Sequence, residues 1–164
     1  MKIRQISTKD IDTILQLNKI SVKVLSPLDK SQLLELIEMA ALSVVIEADN
    51  EIAGFLLCLT NGQDYSSINY QWFDEQFDSF LYIDRVVVSE KFRGRGVAST
   101  FYHFVLDWAS NNNYPSIVAE IDVKPPNEAS LLFHKKFGFK ELELLTHSSI
   151  KMVSLQELKV KTST

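Results

Sequence analysis

The sequence predicts a mixed α/β domain, in which strands and helices follow one another along the chain. Apolar residues alternate with polar ones in some segments and recur at helical spacing in others. The composition is that of an ordinary globular protein, with 46% hydrophobic residues, 23% charged residues, 5 Gly and 4 Pro. Because 164 residues is close to the usual size of one domain, we expect a single domain over residues 1–164.

The first third of the chain predicts a strand, two helices and a hairpin. Residues 1–6 alternate as in a strand, and Ser7 with Asp10 three positions later is typical of a helix start. After Pro27, apolar residues at helical spacing over 31–41 predict a second helix. We then expect a β-hairpin with strands at 43–47 and 52–59 and a turn at 48–51.

Residues 61–79 combine polar and aromatic side chains. The segment is too long for a structureless connection, so it either covers a ligand site or contains a short helix of its own. Its aromatic residues could equally fill a satellite core. They are Tyr65, Tyr70, Trp72, Phe73 and Phe77.

The second half of the chain predicts alternating strands and helices. Residues 80–88 have the strongest strand pattern, and a long helix begins after Gly96 and ends at 111–113, before Pro115. The elements expected next are a strand at 116–123, a helix at 127–137, closing strands at 141–145 and 150–155, and a polar tail at 159–164.

Charge and cysteine content exclude several classes of protein. Lys and Arg number 17 against 21 Asp and Glu, and this net charge of −4 argues against a surface devoted to nucleic acid or anionic lipid. The single Cys58 lies in an apolar run, so we expect a small buried side chain and neither an internal disulfide nor a multi-cysteine metal site. No apolar stretch is long enough to span a bilayer and no signal sequence opens the chain, so we expect a cytoplasmic protein.

The strongest candidate for a binding site is Arg93-Gly94-Arg95-Gly96, between a strand and a long helix. The first N–H groups of a helix have no partner within it and lie at the positive end of its dipole. The glycines let a ligand approach the backbone, and the two arginines add positive charge. This arrangement predicts a phosphate or pyrophosphate site, the alternative being a surface turn with two solvated arginines.

Two familiar phosphate-binding motifs do not fit this loop. A P-loop requires Gly-Lys followed by Ser or Thr, whereas Gly96 is followed by Val97. A dinucleotide-binding fingerprint has a third glycine where this chain has Ser99, and it opens a doubly wound sheet instead of lying in mid-chain.

A second motif follows from Asn127 to Phe139. Arg93-x-x-Gly96-x-Ala98 resembles the acyl-CoA pyrophosphate loop of the GNAT superfamily of N-acyltransferases, and the later segment resembles its Asn-x-x-Ala/Ser helix ending in Gly-Phe. The two motifs agree in order and spacing over about residues 80–139. Asp84-Arg85 before the valines and Pro125-Pro126 before the helix are similar to a poorly characterised bacterial subgroup, which does not fix a substrate.

The resemblance implies an acyl-CoA N-acyltransferase fold, with a central, mostly antiparallel sheet, a splayed parallel strand pair at 80–88 and 116–123, and about four helices. It also implies acetyl-CoA as co-substrate, its pyrophosphate wrapped by residues 93–99 and its pantetheine arm held by the backbone of 86–88, by Asn127 and by the face of the last helix. The residues implied are Val86, Val87, Val88, Arg93, Gly94, Arg95, Gly96, Val97, Ala98, Ser99, Asn127, Ser130, Phe133 and Lys136.

The implied reaction is direct attack of a neutral amine on the thioester. Backbone N–H groups near Val86 or Val87 would stabilise the oxyanion, and an acid would protonate the leaving thiolate. His134 stands where the superfamily often has Tyr and is the candidate acid, although a packed helix-face histidine is the alternative.

A base is needed too, since a primary amine arrives as ammonium. Asp84 and Glu120 lie on the two strands expected to flank the slot, and Asp84 is weakly preferred, although either carboxylate could instead pair with Arg85. Neither a metal-ligand spacing nor a Ser-His-Asp set occurs, so we expect no metal and no acyl-enzyme.

The expected function is transfer of an acetyl group to an amine of a small molecule or peptide. The alternatives are a non-catalytic acyl-CoA binding or sensing module, and an interaction domain that uses the aromatic residues of 65–77. The acceptor pocket would come from residues 20–35 and 61–79, where no motif identifies the acceptor. A symmetric homodimer is the commonest assembly for such a chain.

Overall fold

The structure is a computed structural model that describes residues 1–21 and 27–161. Its strands are β1 (Lys2–Gln5), β2 (Leu42–Ala48), β3 (Glu51–Thr60), β4 (Leu81–Val88), β5 (Ser116–Lys124), β6 (Lys140–Ser148) and β7 (Lys151–Lys159). Its helices are α1 (Ile11–Ile20), α2 (Lys30–Met39), α3 (Ile68–Gln76), α4 (Val97–Asn111) and α5 (Glu128–Phe137), with single 3-10 turns at Thr8–Asp10 and Glu90–Phe92. Residues 22–26 of the predicted acceptor stretch and 162–164 of the predicted tail lie outside the described residues.

The strands of the described residues form one sheet in the order β1-β2-β3-β4-β5-β7-β6. β4 and β5 run parallel, whereas β1–β2, β2–β3, β5–β7 and β6–β7 are antiparallel. The prediction of a mixed α/β fold with a mostly antiparallel sheet and one parallel pair is confirmed. The described helices number five, against about four expected, and residues 68–76 form the additional one, α3. Each of them is too short or too polar to cross a bilayer.

The chain divides into two compact units, Met1–Leu59 with Ile83–Asp107, and Thr60–Tyr82 with Trp108–Thr164. The first unit buries the apolar faces of its helices and of β2 and β3. Its fully buried side chains include Ile14, Leu33, Val45, Phe55, Leu57, Cys58 and Phe101. Burial raises the pKa of the Cys58 thiol well above its ordinary value, as expected for a packing residue. That residues 1–164 form one domain stays a prediction.

The β2–β3 hairpin turns at Asp49 and Asn50. Their φ angles are 53° and 61°, so both residues occupy the left-handed region that a two-residue hairpin turn requires. Asp and Asn tolerate this conformation better than other non-glycine residues do. The turn places the Asp49 side chain, 64% exposed, at the surface of the first unit.

In the second unit, α3 supplies an aromatic core. The Ser67 side chain caps the helix by accepting a hydrogen bond from Tyr70 N–H. Tyr70 and Phe73 are buried, and their ring centroids lie between 5.4 and 6.4 Å from those of Phe80 and Tyr82. The satellite-core interpretation of the aromatic segment is therefore correct for these two residues.

α3 and α5 cover opposite faces of the sheet in this unit. The Tyr82 ring contacts α3 and is paired with Val118, so α3 lies on the face that carries the even-numbered residues of β5. At the end of α5, a Cβ added to Gly138 would lie 3.2 Å from Leu158 Cδ1, and Leu158 is paired with Ile117. Alternation along β5 therefore puts the end of α5 on the other face.

The first residues after β7 are held by backbone acceptors. Val160 N–H donates to the Pro115 carbonyl at 2.9 Å, and Ser110 Oγ donates to the Lys161 carbonyl at 2.7 Å. The tail was predicted to fray from Lys159, but hydrogen bonds hold it as far as Lys161.

Candidate functional site

The loop between β4 and α4 contains two glycines in the left-handed region. The φ angle is 75° at Gly94 and 80° at Gly96, and a Cβ added to either would meet no atom within 4 Å. The space beside the backbone is therefore open where a side chain would otherwise project. An anion that binds main-chain N–H groups needs this kind of access. The buried Phe92 ring anchors the chain just before the loop.

The first turn of α4 offers unpaired backbone donors to the same loop. Thr100 donates to the Gly96 carbonyl through its N–H at 3.0 Å and through its hydroxyl at 2.8 Å. The N–H groups of Val97, Ala98 and Ser99 precede this first hydrogen bond and have no acceptor within the helix. They lie at the positive end of a 15-residue helix, where an anion is stabilised.

The two arginines of the loop differ in how they are held. The Arg95 guanidinium lies 5.0 Å from the centroid of the Phe92 ring, and its Nη1 donates to Asp49 Oδ2 at 3.0 Å. Arg93 is exposed, and no side chain of the described residues pairs with it. The loop therefore presents one pre-positioned and one unengaged positive charge.

The backbone of β4 approaches β3 closely at Gly54. A Cβ on Gly54 would lie only 2.4 Å from the Val87 carbonyl oxygen, and Ser89 N–H donates to the Ala53 carbonyl at 2.8 Å. Peptide groups of a regular strand alternate between its two edges. The residues on either side of Val87 therefore direct their N–H and C=O groups to the edge of β4 that faces away from β3.

Asp84, the preferred candidate base, forms a buried ion pair. Its Oδ2 accepts a hydrogen bond from Arg85 Nε at 2.8 Å, and the two side chains are only 4% and 3% exposed. Arg85 Nη1 also donates to Asn18 Oδ1 of α1 at 2.9 Å, and Asn18 is buried as well. The Asp84 carboxylate is therefore already engaged in a buried structural contact between β4 and α1.

Glu120, the other candidate base, is paired with a tyrosine. The Tyr82 hydroxyl lies 2.8 and 2.9 Å from the two carboxylate oxygens of Glu120. Tyr82 is fully buried, whereas Glu120 is partly exposed. The pair lies on the sheet face that α3 covers, since both residues share the face of Val118.

The helix α5 begins at a capping asparagine. Asn127 Oδ1 accepts a hydrogen bond from Ser130 N–H at 3.3 Å, which leaves the amide NH₂ of Asn127 for another partner. One helical turn separates Ser130, Phe133 and Lys136, of which the first two are partly buried and the third is exposed.

His134 is buried on α5 and held in one tautomer. Its Nδ1 lies 2.7 Å from the Ser130 carbonyl oxygen, an acceptor, so Nδ1 carries the proton. The ring packs edge-on against Phe139, with 4.9 Å between centroids. Burial lowers the pKa of His134 from its ordinary value, although the hydrogen bond to Ser130 partly opposes this. The neutral ring has no proton on Nε2 to donate.

A family model described as the acetyltransferase (GNAT) family matches residues 11–139, which cover both the phosphate loop and α5. The chain belongs to the GNAT acetyltransferase family. The resemblance inferred from Arg93 to Ala98 and from Asn127 to Phe139 is thereby confirmed. A search of curated protein sequences found no match to this GNAT protein.

Solved structures share the fold of this GNAT protein. Ard1 from Thermoplasma volcanium superposes with a TM-score of 0.77 at 20% identity, over 97% of each chain. The ribosomal-protein-S18-alanine N-acetyltransferase from Escherichia coli has a TM-score of 0.74 at 11% identity, over 99% of this chain and 96% of its own. Naa50 from Arabidopsis thaliana, in complex with the bisubstrate analogue CoA-Ac-MVNAL, has a TM-score of 0.72 at 16% identity, over 96% and 97%. At these identities the likeness establishes the fold alone.

Tyr82 is the residue of the candidate site that the GNAT motifs did not predict. Its partner Glu120 is 38 residues away, and their contact depends on the register of the parallel strands. A Tyr between the apolar residues Leu81 and Ile83 was the available signal, because a buried hydroxyl needs a hydrogen-bond partner.

Metal-ligating residues do not cluster in the described part of this GNAT protein. Across residues 1–21 and 27–161, no group of three or more His, Cys, Asp or Glu side chains is arranged to hold an ion.

Burial of His134 predicts a pH dependence of stability. The unfolded chain binds a proton at His134 below a pH of about 6.5, whereas the buried ring in the native state binds it only at lower pH. The free energy of unfolding should therefore fall as the pH drops through 6.5, by no more than about 1.4 kcal/mol per pH unit for this one group.

Urea unfolding of His134→Phe between pH 7.5 and 5.0 should show a flatter dependence than the wild type. Leu132→Ala, a change at an exposed and non-titrating residue of the same helix, is the control and should keep the wild-type slope. An unchanged slope in His134→Phe would mean that this ring titrates alike in both states.

Proposed function

We propose that this GNAT protein is an acetyl-CoA-dependent N-acetyltransferase that transfers an acetyl group to a primary amine of a small molecule or peptide. The observation that carries the proposal is the loop at the start of α4, where two left-handed glycines, three unpaired N–H groups and two guanidinium groups converge. A pyrophosphate is the kind of anion that matches this set of donors.

The residues present fit coenzyme A as a co-substrate. The open space beside Gly94 and Gly96 admits a diphosphate to the main chain, and Arg93 with Arg95 neutralises its charge. The thioester of the donor supplies an activated acetyl group. The remaining residues that we propose to contact the donor are Val86, Val87, Val88, Val97, Ala98, Ser99, Asn127, Ser130, Phe133 and Lys136.

Glu120 suits the role of proton acceptor better than Asp84. Asp84 is held by Arg85 in a buried ion pair, whereas Glu120 is partly exposed and accepts a hydrogen bond from the neutral Tyr82 hydroxyl. We assign deprotonation of the acceptor ammonium to the Glu120 carboxylate, with Tyr82 fixing its orientation. The amine nitrogen then forms its bond to the acetyl carbon as the carbon–sulfur bond breaks. The sulfur leaves as thiolate, and the nitrogen releases its second proton to solvent to give the neutral amide.

His134 is the proposed proton donor to that thiolate. The proton on Nδ1 is engaged by the Ser130 carbonyl, so donation from Nε2 requires the imidazolium form. Burial disfavours this form at neutral pH. A thiolate is a tolerable leaving group, and His134 therefore contributes less to the rate than Glu120 does.

We propose an amine as the acceptor, whether it belongs to a small molecule or to a peptide. The Escherichia coli protein is a ribosomal-protein-S18-alanine N-acetyltransferase, and Naa50 binds the bisubstrate analogue CoA-Ac-MVNAL. Both support an amino group of a peptide or small molecule as the acceptor here.

A non-catalytic acyl-CoA sensing module is the second candidate. Two of the three residues expected to be catalytic, Asp84 and His134, are engaged in buried structural contacts. This engagement favours a module without catalysis. Such a module keeps the loop at the start of α4 and lacks turnover.

Two measurements separate these functions. Isothermal titration with acetyl-CoA should give one site per chain, and thiol release against a panel of primary amines should be faster than hydrolysis without amine. Binding without amine-dependent thiol release would support the sensing module. Absence of binding would overturn both.

The positive charges of Arg93 and Arg95 should strengthen the binding of acetyl-CoA. We expect Arg93→Ala/Arg95→Ala to weaken acetyl-CoA binding about 10- to 100-fold, because each guanidinium makes a charge-assisted hydrogen bond. The loss should shrink as salt is raised, since screening already weakens these contacts in the wild type.

The matched control is Lys91→Ala, which removes a like charge from the turn just before the loop. Lys91 pairs with Glu51 and lies 5.8 Å from the centroid of Phe92. Its removal should leave the affinity within about twofold. Equal effects of the control and the double variant would locate the diphosphate elsewhere.

A further inference from the structure

The turn of the β2–β3 hairpin lies beside the phosphate loop, residues 93–99, within the first unit. Ser89 N–H donates to the Ala53 carbonyl at 2.8 Å, which fixes the hairpin against the chain just before the loop. At the tip of the hairpin, Asp49 Oδ2 accepts a hydrogen bond from Arg95 Nη1 at 3.0 Å. A carboxylate therefore contacts one of the guanidinium groups that we assign to the diphosphate.

The position of the Asp49 carboxylate is set by the backbone of the turn. Asp49 has a φ of 53°, in the left-handed region that a two-residue hairpin turn requires. Among residues 1–21 and 27–161, Arg95 is the only cation that pairs with this carboxylate. The charge of Asp49 is therefore directed at the phosphate loop and at no other described cation.

Arg95 is held between this carboxylate and an aromatic ring. Its guanidinium lies 5.0 Å from the centroid of the buried Phe92 ring, and this contact does not depend on Asp49. A guanidinium binds phosphate oxygens most strongly when it offers parallel N–H groups and its full charge. While Nη1 donates to Asp49, one donor is engaged and part of the charge is neutralised. The carboxylate and a diphosphate are therefore competing anions for one cation.

Ordering of Arg95 by Asp49 acts in the opposite direction and is the smaller effect. The ion pair is exposed, with 46% of the Arg95 side chain and 64% of the Asp49 side chain accessible, and exposed pairs hold their side chains only weakly. The Phe92 ring still contacts the guanidinium when the carboxylate is removed. The charge that Asp49 neutralises, in contrast, would act on the phosphates at contact distance. Competition therefore outweighs ordering.

The same diphosphate is present in acetyl-CoA and in the coenzyme A that the reaction releases. The phosphate loop binds both alike, so a contact that tightens donor binding also slows departure of the product. We propose that the Asp49 carboxylate competes with the diphosphate for Arg95 and thereby speeds the release of coenzyme A. The inference deepens the proposed function and rests on it for the identity of the ligand. Asp49 acts on the ligand through the guanidinium and is therefore a positioning residue.

Asp49→Asn removes the charge and keeps the turn, because Asn also tolerates the left-handed region. At about 50 mM salt, we expect it to bind coenzyme A about 3- to 10-fold more tightly than the wild type in isothermal titration, with slower dissociation in stopped flow. The difference should fall below about twofold at about 0.5 M salt. Asp49→Gly, which also suits a φ of 53°, should gain affinity in the same way. Unchanged or weaker binding in these variants would overturn the inference.

Two comparisons show whether the effect passes through Arg95. In the Arg95→Ala background, Asp49→Asn should change the affinity less than about twofold, because no guanidinium is left to be freed. Glu51→Gln is the matched control, since it removes an equal charge from the same hairpin at a residue that pairs with Lys91. It should leave the affinity within about twofold of the wild type. An equal gain in Glu51→Gln, or a full gain without Arg95, would contradict the competition.

Thiol release with acetyl-CoA and an amine separates this inference from the proposed function. Amine-dependent turnover by the wild type, with unchanged coenzyme A affinity in Asp49→Asn, would leave the acetyltransferase in place and overturn the competition. Tighter binding in Asp49→Asn, without amine-dependent thiol release in any variant, would support the competition and count against the acetyltransferase. Where both hold, Asp49→Asn should show a lower KM for acetyl-CoA and stronger inhibition by coenzyme A. Absence of acetyl-CoA binding by the wild type would overturn both.

Discussion

Replacing Glu120 by Gln is expected to lower kcat for amine acetylation about 100- to 10,000-fold, the usual contribution of a positioned proton acceptor. The amide keeps the shape of the carboxylate and can still accept a hydrogen bond from Tyr82, but it cannot take a proton from the ammonium. Acetyl-CoA affinity should stay close to that of the wild type, because Glu120 is assigned to the acceptor. Steady-state thiol release and isothermal titration measure the two quantities.

Two further variants sharpen this test. Glu143→Gln changes an exposed carboxylate of β6 that shares the cross-strand neighbour Leu155 with Glu120, and it should keep the wild-type kcat. Tyr82→Phe removes the hydroxyl that orients Glu120 and should lower kcat less than Glu120→Gln does. If Glu120→Gln turns over at the wild-type rate, the proton acceptor lies elsewhere.

Replacing Asp84 by Ala is expected to cost about 3–5 kcal/mol in the free energy of unfolding, because it leaves the Arg85 guanidinium buried without its carboxylate. The double variant Asp84→Ala/Arg85→Met removes both charges and should recover a large part of that loss. Urea unfolding monitored by circular dichroism provides both values.

A different outcome would restore Asp84 as the base. If Asp84→Ala kept its free energy of unfolding and lost kcat to the extent expected of Glu120→Gln, the ion pair with Arg85 would not be its main role. The roles of Asp84 and Glu120 are thus distinguished by whether each variant changes the free energy of unfolding or kcat.

Local sequence predicted the elements whose signals are local. The run of residues 80–88, the glycines at 94 and 96 and the helical spacing after Val97 predicted a strand, a loop and a helix, and each is present. α3 could not be predicted with the same clarity, because its aromatic side chains fit a helix, a core or a lid equally well. Its ring contacts with Phe80 and Tyr82 decide between them.

The candidate site was predictable where one segment builds it and not where two strands must meet. Residues 93–99 form the phosphate loop from consecutive positions. The pairing of Glu120 with Tyr82 depends on strand register, which sequence alone does not determine. His134 lies between these cases, since its partner Ser130 is one helical turn away and the spacing was visible.

The turn at Asp49 has a thermodynamic consequence for the loop it touches. The Arg95 side chain is placed by that carboxylate and by the face of Phe92, whereas Arg93 has no such partner among the described side chains. An arginine side chain carries about 2 kcal/mol of rotamer entropy. Ordering Arg95 on a bound diphosphate should therefore cost less of this entropy than ordering Arg93.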